Sequence, residues 1–209
     1  TVACMKDDRE TKEKLLQSAK AEFIAKGYQG ASLRTICKNS GVTTGALYFF
    51  FKDKDDLFAS LVAPPINTLK SVLMEHMRQE LLVMEQGEDA PTNEYQDDGY
   101  AARQGLHLLY QNYDLFLLLI TGSYGSSQEH FVDDLVAIAE DHYRILSNRQ
   151  AALMGVAPPD DYTIHWMAHM QIDAFVHLLT HEPDEAKAMS HLPGILRYML
   201  CGWNGLFTP

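Results

Sequence analysis

Hydroxyls, cations and small residues are interleaved between residues 32 and 57, SLRTICKNSGVTTGALYFFFKDKDDL. These types suit non-covalent contact better than bond-making. Thr43 can cap a helix by accepting a hydrogen bond from a backbone N–H of its first turn. Val42 just before it and Leu47 at the fourth helical position can form a hydrophobic staple. Gly41 supplies the permissive backbone for the preceding turn. In the helix that follows, Leu47, Phe50 and Phe51 share one side by helical spacing, and Thr44, Gly45, Tyr48 and Phe49 share the other. The first side is suited to burial. The second is small at its start and aromatic further along, so it can come close to a partner surface. Two helices around such a turn, the second leading with its N-terminal end, suit a helix-turn-helix entering the DNA major groove.

The flanking elements position this stretch. Residues 11–26 place Leu15, Leu16, Ala19, Phe23 and Ile24 at amphipathic-helix spacing, with Gly27 as the stop. Lys12, Lys14, Lys20 and Lys26 lie mostly off the stripe, on a face that is either simply solvated or turned toward phosphates. Ser32 can cap a short helix that buries Leu33, Ile36 and Cys37. Its N-terminus could hold a phosphate, with Arg34 in reach of a phosphate or a base edge. Asp53 can cap the next helix, placing Lys54 where it could neutralise a backbone phosphate. Pro64-Pro65 should interrupt that helix, with a second helical pattern over residues 66–84.

Composition sets the frame. The 209 residues, 46% hydrophobic, suffice for one large or two small domains. The net charge of -11 is unevenly divided: residues 1–62 carry 10 Lys+Arg against 8 Asp+Glu, and residues 63–209 carry 7 against 20. Only the first part is expected to face phosphates, and the acidic remainder should repel DNA. Three widely spaced cysteines predict neither a disulfide framework nor a zinc site, and a cytoplasmic location is expected. The longest apolar run, residues 115–120, is far short of a membrane helix, so no membrane partner is expected. The N-terminal residues show no secretory signal.

Residues 86–98 read as a loop, residues 99–120 as helix with a break near Asn112, and 121–127 as a turn. Residues 128–154 read as a long amphipathic helix marked by Phe131, Leu135, Ile138, His142, Ile145 and Leu153. Pro158-Pro159-Asp160-Asp161 closes it and caps the next, and residues 162–181 and 184–207 form a final helical pair. No alternating strand pattern is present, and the fold class is all-α.

Residues 11–61 resemble the tetracycline-repressor (TetR) family of transcriptional regulators, in its AcrR-like form. The resemblance rests on AKAEFIAKG followed by ASLRTICKNSGVTTGALYFFFKDKDDL, with the turn, the staple, Leu47-Tyr48, Phe51 and Lys54 at the family's spacings. It implies an N-terminal three-helix DNA-binding domain, residues 1–58, and a larger helical ligand-binding and dimerisation domain, residues 59–209. It also implies a homodimer on a double-stranded DNA operator, most often a repressor released by a small-molecule effector. By resemblance Ser32, Thr43, Tyr48 and Lys54 occupy positions that commonly touch phosphates, and Arg34, Thr44, Gly45 and Ala46 can face base edges. Ala46 departs from the common Ser or Thr but could touch a thymine methyl. Phe49 and Phe50 depart from the common Tyr or His; Phe49 could pack on a sugar.

Within the acidic part, Tyr100, Arg103, His107 and Tyr110 fall near one face, and with Phe116, Tyr124 and Met170 they are the candidates for an effector site. Arg103 points to an anionic ligand. His165, His169, His177 and His181 form i,i+4 pairs that could in principle bind metal, but HWMAH lacks the metalloprotease glutamate. They are expected as satisfied groups at a helix interface, with no metal and no cofactor. The final helices are apolar on several sides, and Trp166, Phe175, Leu196, Met199 and Trp203 are the candidates for a four-helix dimer interface, against an ordinary monomer core. An enzyme is not expected: no nucleophile elbow, phosphate loop or paired carboxylates are visible. The rivals are a helical protein-interaction module with a degenerate helix-turn-helix and a metal-binding helical protein.

Overall fold

Serine, threonine and aspartate before apolar runs start most of the helices, and glycine or proline punctuation ends several of them. The computed structural model describes residues 2–86 and 94–208. Within them the chain forms α1 (Val2–Gly30), α2 (Leu33–Ser40), α3 (Thr44–Phe50), α4 (Lys54–Gln86), α5 (Glu94–Gln111), α6 (Tyr113–Gly122), α7 (Phe131–Met154), α8 (Asp161–His181) and α9 (Glu185–Gly205), with no strand among the described residues. The all-α class and the helix-turn-helix at the N-terminal end are as the sequence predicts. The chain divides into two compact units: residues 1–67 with 112–131, and residues 68–111 with 132–209.

In the first unit α1 buries Leu15, Ala19 and Phe23. Phe23 meets the Phe58 ring edge-on at 5.0 Å, and Tyr28 does so at 5.1 Å, which ties the end of α1 to the start of α4. The Ser18 hydroxyl donates to the Ile36 carbonyl at 2.9 Å, fixing α2 against α1. α6, with Leu115, Phe116, Leu118 and Leu119 buried, also packs on α1. The approach is close where two glycines meet: a Cβ on Gly27 would lie 3.3 Å from the Gly122 carbonyl oxygen. Gly27 has φ 67° and ψ 173°, a kink inside α1 in a region essentially open to glycine alone. The expected stop is therefore a bend, beyond which the helix runs three residues further. The turn after α6 is held by Asp55, whose carboxylate accepts from the Ser127 N–H at 2.8 Å.

In the second unit Val136 and Ala139 of α7 pack with Ala168 of α8, flanked by Tyr143 and Ile172. Tyr143 stacks on Trp203 of α9 at 5.5 Å. The Tyr110 hydroxyl of α5 donates to the Leu178 and Glu182 carbonyls at the end of α8. Asp160 and Asp184 cap α8 and α9 through the Thr163 and Lys187 N–H groups.

The structure corrects several expectations. Pro64 and Pro65 lie inside α4, which continues to Gln86. Each proline removes one helical donor, but Val62, Pro65 and Ile66 are buried, so packing outweighs a penalty of about 3 kcal/mol per proline. α4 is also long and apolar enough, over Lys54–Leu82, to cross a membrane by length and composition alone, although its apolar residues form no unbroken run of that length. Leu57, Phe58, Val62 and Ile66 of that segment are buried in the fold. Of the loop expected over residues 86–98, Gln86 belongs to α4 and residues 94–98 to α5, and residues 87–93 lie outside the described residues. α7 begins at Phe131, three residues later than expected. Ile145 and Leu153 stand off its buried stripe, 44% and 73% exposed. The break at Asn112 is where the sequence places it.

Gly27→Ala should destabilise the protein by about 1–3 kcal/mol, because alanine must adopt the glycine-only backbone conformation. Urea denaturation followed by circular dichroism measures it.

Candidate nucleic-acid interface

The interface is built from caps. Ser32 opens α2 by accepting from the Thr35 N–H at 3.4 Å, and Gly41, at φ 68°, closes it with its N–H directed at the Cys37 and Lys38 carbonyls. Thr43 opens α3 by accepting from the Ala46 N–H at 3.2 Å. The Phe51 N–H closes α3 on the Leu47 carbonyl at 2.9 Å. Leu47 and Phe51 are fully buried, while Thr43, Thr44 and Gly45 are exposed, Tyr48 is 54% exposed and Phe49 is 74% exposed. The two faces expected of this helix are therefore separated in space. Ala46 and Phe50 are half-buried at the margins, and Arg34 is exposed on α2.

Phe49 is exposed but not unsupported. Its ring meets Phe50 edge-on at 5.0 Å, and Phe50 tilts against Phe51 at 6.4 Å, so a chain of aromatic contacts runs from the outer face to the core. The Lys12 ammonium sits 5.5 Å from the centre of the Phe51 ring, on the side of α1.

Lys54 is half-buried. Its ammonium donates to the Gln29 carbonyl at 3.1 Å and lies 4.7 Å from the Tyr28 ring centre. Burial lowers its pKa from the ordinary lysine value. Burial, then Asp55 and Asp53, raises that of Tyr28. The carboxylates nearest α3 are turned into backbone acceptors: Asp53 receives the Asp56 N–H at 2.9 Å, and Asp56 receives the Lys52 N–H at 2.8 Å. Such engagement directs their charge to the start of α4, where the helix dipole favours it.

One positioning residue escaped the sequence reading. Glu22 is only 6% exposed, on the apolar stripe of α1 beside Phe23. Its Oε1 accepts from the Lys26 ammonium at 2.8 Å and from the Ser32 N–H at 3.2 Å. The residue that caps α2 is thus itself tied to α1. The Lys26 hydrogen bond holds the Glu22 pKa below its ordinary 4.5, helped by the Ser32 N–H and opposed by burial. A glutamate three residues after Ala19 and next to Phe23, where the stripe calls for an apolar residue, is the signal that could have found it.

The candidates for an effector site are dispersed. Phe116 and Tyr124 belong to the first unit, Phe116 fully buried and Tyr124 73% exposed. In the second unit Tyr100 and Arg103 are exposed, His107 pairs with Glu185 at 2.5 Å, Tyr110 is engaged by carbonyls and Met170 is half-buried. One open cleft of about 330 Å³ in that unit is lined by Met84, Arg149, Ala152 and Leu153, none of them a candidate. Another, of about 310 Å³ in the first unit, includes Tyr124 with Ile120, Thr121, Ser123, Glu129 and His130. Of the dimer candidates, Trp166 is 50% exposed, and Phe175, Leu196, Met199 and Trp203 are half-buried. Among the histidines, His165 bonds Glu140 of α7 at 2.8 Å and stands edge-on to His169, while His177 and His181 stack at 4.1 Å.

Residues 15–61 match the family of bacterial regulatory proteins, tetR family. Over 53 residues the chain is 42% identical to the HTH-type transcriptional repressor BepR of Brucella suis. Over the same length it is 43% identical to the HTH-type transcriptional regulator AcrR of Shigella flexneri. Each match covers 25% of this chain and 25% of the relative, so the chain matches about a quarter of the length of these curated relatives. Among solved structures, NalD, the secondary repressor of the MexAB-OprM multidrug efflux pump in Pseudomonas aeruginosa, is similar over 93% of this chain and 97% of its own. The TM-score is 0.60 at 17% identity. A transcriptional regulator of Aquifex aeolicus is similar over 90% of this chain and 99% of its own, with TM-score 0.59 at 20% identity. At those identities the likeness concerns the fold: a helix-turn-helix followed by a helical body.

Glu22→Gln should lower stability by about 1 kcal/mol at neutral pH, by loss of a charge-assisted hydrogen bond. Because the folded-state pKa is depressed, the wild-type advantage is present above the ordinary glutamate range and is lost as pH falls through the folded value. Denaturant titrations of both proteins at pH 7 and below pH 4 should therefore show the difference shrinking in acid.

Proposed function

We propose, from the match of residues 15–61 to the tetR family of bacterial regulatory proteins, that the whole chain is a DNA-binding transcriptional regulator of the TetR/AcrR-like kind and acts as a repressor. The observation that carries the proposal is α3: capped at Thr43, buried through Leu47 and Phe51, and bare over Thr44, Gly45, Tyr48 and Phe49. A helix with one anchored side and one open side is the unit that major-groove recognition requires. The family is made up of transcriptional regulators rather than enzymes, and no catalytic role is assigned to any residue here.

Arg34, Thr44, Gly45 and Ala46 are proposed to face base edges. Ser32, Thr43, Tyr48 and Lys54 are proposed to face phosphates, with Phe49 at the groove surface. We place the DNA-binding part in residues 1–58 and the ligand-binding and dimerisation part in residues 59–209, working in the cytoplasm.

A second copy of the chain is the proposed partner. α8 and α9 leave Tyr162, Trp166 and Tyr198 exposed, with Phe175, Leu196, Met199 and Trp203 half-buried beside them. A two-fold dimer joined there binds a palindromic operator with half-sites about one helical turn, or a multiple of one, apart. Release follows from linkage. A small molecule received by the C-terminal part lowers operator affinity when it binds better to the arrangement in which the two recognition helices are wrongly spaced. Arg103, exposed on α5, makes an anionic effector the proposed class.

Selection from a random duplex pool should enrich a palindrome, and its retention should fall steeply with salt. Lys54→Ala should weaken binding to all sequences alike and reduce the salt slope by about one. A change in base preference would remove Lys54 from the phosphate set. A monomeric protein indifferent to every duplex at low ionic strength would overturn the reading.

A further inference from the structure

The recognition helix carries almost nothing that can form the strong hydrogen bonds of base readout. Residues 43–51, TTGALYFFF, contain no Arg, Lys, Asn, Gln, Asp or Glu. Bidentate recognition of guanine needs Arg or Lys, that of adenine needs Asn or Gln, and cytosine is read by Asp or Glu. None of these is available from α3. Its polar capacity is limited to the Thr44 hydroxyl, the Tyr48 phenol and the Thr43 hydroxyl that already accepts from Ala46. What remains is apolar surface, and the one base feature in the major groove that apolar contact distinguishes is the thymine C5-methyl.

The geometry favours such contact. Gly45 and Phe49 stand one helical turn apart, opposite the buried Leu47. Helical side chains lean toward the N-terminus, so Phe49 covers the surface over Gly45. A Cβ added at Gly45 would meet only the Thr43 hydroxyl oxygen, at 4.0 Å, so the gap there faces open space. The Phe49 ring is 74% exposed yet held edge-on by Phe50, and Phe50 in turn by Phe51. A large apolar ring kept rigid on the outermost line of the helix does little for the core. It is well placed to exclude water from a methyl group.

We infer that α3 reads its operator through thymine methyl groups packed against Phe49, with the Ala46 methyl at the flank, rather than through bidentate hydrogen bonds. The inference rests on the DNA-binding reading above and specifies it: the bases under α3 include A·T pairs whose methyl groups line the major groove, and Arg34 of α2 carries whatever guanidinium reading exists.

The test uses the full chain and a duplex selected from a random pool, with each thymine replaced in turn by uracil, which lacks only the methyl. At one thymine or more in each half-site, affinity should fall about fourfold, the effect of one buried methyl. Replacing the equivalent thymines of both half-sites together should lower it about fifteenfold. In Phe49→Ala the thymine and uracil duplexes should bind alike. Binding of the selected duplex that is insensitive to uracil at every position would overturn methyl reading and leave the regulator intact. A uracil effect that persists in Phe49→Ala would overturn the assignment to that ring. Failure to bind any duplex at low salt would instead overturn the regulator reading, and this inference with it.

Discussion

Seven residues cannot hold a helix in water, because nucleation fixes three residues for one hydrogen bond. α3 has that length, and its caps and its packing against α1 and α2 keep it formed with one face bare. Its ends are closed by Thr43 and Phe51, and its inner side is anchored by Leu47 and Phe51. Those anchors need α1, so the interactions that hold α1 and α2 together act on α3 at one remove. The Glu22 carboxylate is central among them, joining Lys26 within α1 to the Ser32 N–H where α2 begins. A buried carboxylate satisfied on two sides restricts the geometry more than an apolar side chain at the same place, because only one arrangement pairs both of its donors.

What was legible in the sequence was local. Caps, a turn glycine and a staple act over five residues or fewer, and Ser32, Gly41, Thr43, Asp53 and Asp160 all do what their types suggest. The break at Asn112 was legible for the same reason. Long-range packing was not. Pro64 and Pro65 carry a strong local instruction to end a helix, and burial around Val62 and Ile66 overrides it. The proximity of Gly27 and Gly122 joins positions far apart in the chain, and no window of sequence contains both. The proposed effector residues show the limit most clearly. Helical spacing can place Tyr100, Arg103, His107 and Tyr110 on neighbouring faces of α5, yet it cannot say that His107 finds Glu185 or that Tyr110 finds the end of α8.

The division of charge changes when counted by units in space. The first unit gains Asp114 and Glu129 with α6 and its turn, which makes it 10 Lys+Arg against 10 Asp+Glu, while the second holds 7 against 18. The small excess of base in residues 1–62 is therefore balanced within the first unit. Local placement replaces it: Arg34, Lys38 and Lys52 are exposed around α2 and α3, while Asp53, Asp55 and Asp56 accept backbone N–H groups. Over a Debye length of about 8 Å at physiological salt, it is this local distribution that the phosphates of the proposed function would meet.

A neutral head on an acidic body has a consequence for how a site is chosen. On the proposed function, non-specific affinity comes almost wholly from phosphate neutralisation, and the acidic second unit, with 7 Lys+Arg against 18 Asp+Glu, opposes it. On the proposed reading, specificity then rests on contacts that discriminate between bases and on the pairing of two copies of the chain. Apolar contact with methyl groups is well matched to that need, since it is insensitive to salt and adds nothing at sequences that lack the methyl. The three consecutive phenylalanines at 49–51, which look at first like a run of core residues, differ in place: Phe51 is buried, Phe50 stands between, and Phe49 is exposed, where the proposed reading has it meet DNA.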